Sequence, residues 1–61
     1  NARPGDIVVA CMDGEWTVKY LREKRGKQYL EPANEDYEDL WPEESLEIGG
    51  VVRSVIRTYG R

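Results

Sequence analysis

Apolar residues along this chain fall in short blocks divided by turn-forming and charged residues, and the blocks are too brief for helical periodicity to develop. Positions 6–12, Asp-Ile-Val-Val-Ala-Cys-Met, form a nearly continuous Val- and Ile-rich run, which predicts a strand covered on both faces. Asp13-Gly14 then supplies a hairpin turn, because both residue types tolerate positive φ. The return strand, from position 15 to 21 or slightly beyond, places Trp16, Val18 and Tyr20 on one face and Thr17, Lys19 and Leu21 on the other. Trp16 and Tyr20 are expected to serve as core or cross-strand aromatics.

Arg25-Gly26-Lys27 marks a second turn, and 28–32 a brief strand ended by Pro32, which has no amide hydrogen for a sheet ladder. A loop follows to about position 44, with Leu40-Trp41-Pro42 as its apolar island, read as a lid over the core. Leu46 and Ile48 alternate as a strand would, Gly49-Gly50 permits a bulge or bend, and 51–58 resumes extended structure. In that last strand Val51 and Val55 alternate with Arg53 and Arg57, the pattern of an edge defended by charge or of a strand that pairs with another subunit. The fold class expected is therefore all-β, a small, strongly bent antiparallel sheet or partly open barrel.

Lys19 is the candidate for chemistry. It lies between Val18 and Leu21 on a strand facing the sheet interior, where an ammonium loses hydration and the neutral, proton-accepting form is favoured. Such an amine can activate a serine hydroxyl. The plainer reading is a lysine whose stem lies along the sheet while its head reaches water.

The wider pattern favours chemistry. Gly5-Asp6-Ile7-Val8-Val9, the Asp13-Gly14-Glu15-x-Thr17-Val18-Lys19-x-Leu21 run, Leu30-x-Pro32-x-Asn34-x-x-Tyr37 and Gly50-Val51-Val52-x-x-Val55-Ile56-Arg57 occur in this order. Together they resemble the carboxy-terminal half of the LexA/UmuD-type Ser-Lys autoproteases, over nearly the whole chain. The resemblance implies that 1–61 is the carboxy-terminal portion of a single peptidase domain, truncated on its amino-terminal side. It assigns Lys19 the role of general base. The family's serine lies in a Ser-Met segment upstream of the Gly-Asp strand, so it has no counterpart between Asn1 and Arg61, and neither Ser45 nor Ser54 matches it. The chain by itself is thus expected to be catalytically inactive. For the complete protein the resemblance implies self-cleavage promoted by RecA filaments during the SOS response to DNA damage, in the cytoplasm. It also implies a homodimer formed through strand 51–58, with Arg53 and Arg57 near the interface, and DNA contact only through an upstream domain. The Asp-Gly-Glu-aromatic-Thr-Val-Lys run and the segment 44–52 look closer to UmuD-like members, and the repressor and polymerase-accessory branches both stay open.

Composition limits the alternatives. Twelve acids against nine bases give a net charge of -3, which does not favour a nucleic-acid groove. Arg22, Lys24, Arg25 and Lys27 cluster just ahead of eight acids between Glu31 and Glu47, so a basic end and an acidic end are expected. Without histidine and with a single cysteine, Cys11, a zinc site is not constructible from this chain, a structural disulfide is excluded, and no cofactor is called for. Positions 34–39 lack the alternating ligands and central glycine of a calcium loop. No apolar run approaches the length of a membrane span. A chain of this size buries only about 60% of its unfolded surface, which makes it marginal alone. The competing function class is a non-catalytic dimerisation or SH3-like binding module, which would display Trp16, Tyr20 or Trp41 as a recognition surface.

Overall fold

The computed structural model describes residues 1–53. Four strands, β1 (Ile7–Met12), β2 (Glu15–Lys24), β3 (Lys27–Glu31) and β4 (Leu46–Val51), form one sheet in the order β3-β2-β1-β4. All three pairings are antiparallel. The all-β expectation is met.

Both hairpins are closed by two residues with positive φ, Asp13 (51°) and Gly14 (89°) in one, Arg25 (56°) and Gly26 (80°) in the other. That backbone twist matches the right-handed twist of paired strands and explains why the turns stay so tight. Tightness in turn lengthens the strands: β2 runs three residues beyond Leu21, and Lys27 opens β3 instead of belonging to the turn. At the β2–β3 tip Glu23, Gly26 and Lys27 share a hollow with Trp41, Pro42 and Leu46.

Register decides which face is buried. Val8 pairs with Lys19, Ala10 with Thr17 and Leu21 with Leu30, so Lys19 stands on the face that carries the core. Val8, Ala10, Leu21 and Leu30 have no exposed surface, and Met12, Leu46, Ile48 and Val51 pack against them. The opposite face behaves differently from the expectation. Val9 pairs with Val18 and Cys11 with Trp16, yet Val18 is 55% and Trp16 60% exposed, so among the described residues this face is covered only in part, with Ile7, Val9 and Cys11 of β1 half-buried. Trp16 is a cross-strand aromatic but not a core one: its ring lies over Gly49, where an added Cβ would stand 2.8 Å from Trp16 Cζ3.

Gly49 is also where β4 slips by one residue. Ala10 pairs with Ile48 but Val9 with Gly50, leaving Gly49 as the extra residue of a bulge. The glycine pair therefore kinks β4 without ending it, as expected of a bulge, and the strand stops at Val51. Val52 donates its amide to the Ile7 carbonyl at 2.7 Å. Beyond Arg53 the expected strand 51–58, with Ser54 and Arg57, lies outside the described residues.

Candidate active site around Lys19

Strand alternation puts Thr17 and Lys19 side by side on the inner face, two residues apart. The Lys19 ammonium donates a hydrogen bond to Thr17 Oγ1 at 2.9 Å in a partly buried setting. This contact turns a long, rotamer-rich side chain back along its own strand, and so fixes where its nitrogen sits.

In front of Lys19 lies a cleft of about 360 Å³, lined by Lys19, Pro32, Tyr37, Glu38, Asp39 and Leu40. Its inner wall is the sheet and its outer wall is the loop 32–45. Leu40 also borders a second hollow with Met12, Thr17 and Trp41. Three features shape the loop. Asn34 opens it with a turn, its Oδ1 accepting from the Asp36 amide at 2.9 Å and its carbonyl from the Tyr37 amide at 3.1 Å. Leu40 makes a two-bond bridge to Leu30, at 2.8 and 2.9 Å, which covers part of the β3 edge. Trp41 stacks on Tyr29 with ring centroids 4.3 Å apart. Leu40-Trp41-Pro42 therefore rests on β3, Leu40 through its backbone and Trp41 through the Tyr29 ring, while both side chains stay partly exposed and neither is among the residues packed on the core expected beneath a lid.

The loop's far end is gripped by Asp13. Its carboxylate accepts the amides of Glu43 (3.0 Å), Glu44 (2.7 Å) and Ser45 (3.0 Å), while the Asp13 amide donates to the Ser45 carbonyl at 2.9 Å. Three N–H groups stabilise the charged form, those of Glu43, Ser45 and Glu44 in order of effect, and hold this carboxyl below its ordinary value of 3.8. Sequence reading saw Asp13 only as a turn former. Its partners are 30 or more residues away, and no local pattern announces them. Thr17, by contrast, was legible as the inner-face neighbour of Lys19.

Charge is partly paired off. Arg22, at the start of the basic run, forms an ion pair with Glu31 and lies over the Tyr20 ring at 5.7 Å. Lys24 lies 5.9 Å from the centre of the Tyr29 ring. Ser45, which matches no nucleophile position of the resembled family, does not line the lysine cleft, and its backbone is bonded to Asp13. Among the described residues no helix is long and apolar enough to cross a membrane.

A family model described as Peptidase S24-like matches residues 1–53. The LexA repressor of Verrucomicrobium spinosum is 44% identical over 59 residues, covering 97% of this chain and 29% of that protein. The LexA repressor of Cereibacter sphaeroides is 44% identical over 61 residues, 97% of this chain and 27% of the relative. LexA repressor 2 of Pseudomonas putida is 42% identical over 59 residues, 93% of this chain and 29% of the relative. The chain therefore spans less than a third of the length of these relatives.

Proposed function

We propose, from the premise that this chain belongs to the Peptidase S24-like family, that it is the carboxy-terminal portion of the self-cleaving peptidase domain of a LexA-like repressor, with Lys19 as general base. The observation that carries the reading is the placement of Lys19. Its nitrogen is held by Thr17 on the buried face of the sheet and opens on a cleft of about 360 Å³. The names of the relatives favour the repressor branch over the polymerase-accessory one. An exposed Trp16 would also suit an SH3-like module, and membership of the peptidase family weighs against that alternative.

In this mechanism a serine of the longer protein attacks a peptide bond of the protein's own chain. Neutral Lys19 takes the hydroxyl proton as the bond to carbon forms, then delivers it to the departing amine. Thr17 accepts a hydrogen bond from the Lys19 nitrogen, which leaves the lone pair free to point into the cleft. Because only the free amine can accept a proton, cleavage accelerates as pH rises above neutrality. The regulator is the RecA filament, the setting is cytoplasmic, the repressor acts as a dimer, and DNA is held by a separate domain. No metal or cofactor enters the chemistry.

The test is the intact mass of the full-length protein, wild type and Lys19→Ala, before and after incubation at about pH 7 and at about pH 10, since the free-amine fraction of a lysine is far larger at the higher pH. Two discrete fragments from the wild type alone are expected. Equal cleavage of both proteins, or a rate independent of pH between 7 and 10, would remove Lys19 from the role.

A further inference from the structure

The loop 32–45 is an improbable object to find in a fixed place. It carries Glu35, Asp36, Glu38, Asp39, Glu43 and Glu44, whose mutual repulsion favours a splayed chain. It is also long for a connection without strands or helices of its own, a length at which loops are usually functional. Yet its residues 37–40 form one wall of the cleft in front of Lys19. The bridge at Leu40 and the Trp41–Tyr29 stack tie the middle of the loop to β3, and hydrogen bonds to the β1–β2 turn tie its end.

That second tie is unusual in kind. A carboxylate sits beside Glu43 and Glu44, where like charge should exclude it, and stays because it faces their amides and not their side chains. Asp13 Oδ1 takes the amides of Glu44 and Ser45, and Oδ2 takes that of Glu43. The left-handed backbone at Asp13, φ 51°, aims the side chain across the turn, and its own amide closes a fourth bond to Ser45. The anchor thus belongs to the same hairpin that presents Thr17 and Lys19.

We propose that Asp13 is a positioning residue for self-cleavage: by holding the amides of 43–45 it sets loop 32–45 at a fixed distance from β2, so that the segment to be cut is laid against the lysine and not beside it. The inference rests on the reading of Lys19 as general base. Asp13 touches neither the reacting atoms nor Lys19, and its effect passes through the wall of the cleft.

The experiment compares full-length wild type, Asp13→Ala, Asp13→Gly, Asp13→Asn and Lys19→Ala, at a temperature where circular dichroism shows each folded. Two rates are followed, self-cleavage and labelling of the serine by a small fluorophosphonate, which needs the serine and lysine but no docked segment. Glycine keeps the positive φ while removing the acceptors, and asparagine keeps one acceptor oxygen. Self-cleavage is expected to slow at least fivefold in Asp13→Ala and Asp13→Gly and by less in Asp13→Asn, with labelling within twofold of wild type in all three. If Asp13→Ala fails to fold, the same ordering of wild type, asparagine and glycine variants decides. Cleavage unchanged in every Asp13 variant, or labelling that falls in step with cleavage, overturns the proposal. Lys19→Ala that labels and cleaves like wild type overturns the dyad reading instead, and a wild type that does neither overturns both.

Discussion

At the scale of single residues, the site depends on one hydroxyl. Thr17 is the hydrogen-bond partner that holds the Lys19 nitrogen over the cleft. Replacing it by valine keeps shape and strand propensity but removes the acceptor. A net hydrogen bond of about 1 kcal/mol corresponds to about fivefold in rate, so Thr17→Val should slow self-cleavage by about that factor. Thr17→Ser should restore it, as read from fragment accumulation on gels. Strand alternation made Lys19 and its inner-face neighbours legible before any coordinates, because period-two geometry leaves no choice of face once Leu21 is assigned inward. The exposure of Trp16 was not legible. An aromatic on a strand signals burial somewhere, and only the register shows that the buried face is the other one.

Elements are joined here less by apolar packing than by backbone groups. The two hairpins follow from Asp-Gly and Arg-Gly pairs at positive φ, and both were readable from local turn chemistry. The link between the β1–β2 turn and the end of the long loop was not readable, because it joins a carboxylate to amides whose side chains say nothing about it. It has a pH signature. Asp13 titrates below 3.8 when folded, so its contribution to stability is complete above that unfolded value and is lost as pH falls through the lowered folded value. Thermal midpoints of wild type and Asp13→Asn should therefore differ at neutral pH and draw together as pH falls below 3.8. A gap that does not narrow on that descent would show that the three amides do not discriminate the charged form.

At the largest scale the described residues form a four-stranded sheet with one dry face. Among them only Val8, Ala10, Leu21 and Leu30 are fully buried, which is little to set against the entropy of ordering the backbone. At about 0.05–0.15 kcal/mol per residue, 61 residues hold roughly 3–9 kcal/mol in all. Leu30→Ala, which empties the meeting point of β2, β3 and the loop, costs about 2–5 kcal/mol. In the full-length protein Leu30→Ala should therefore lower the thermal midpoint followed by far-ultraviolet circular dichroism, and a midpoint equal to wild type would show that Leu30 is not part of the stabilising core. The bulge in β4 finally bears on how this sheet tolerates changes of length. Leu46 and Ile48 face the core on one side of Gly49 and Val51 on the other, so parity changes at a residue that has no partner. Gly49 is thus a spare link: excising it leaves Ile48 opposite Ala10, Gly50 opposite Val9 and Val51 opposite Val8, whereas enlarging it drives a methyl group into Trp16. The shortened chain should accordingly melt closer to wild type than Gly49→Ala does, an inversion of the ordinary rule that a strand forgives substitution more readily than loss.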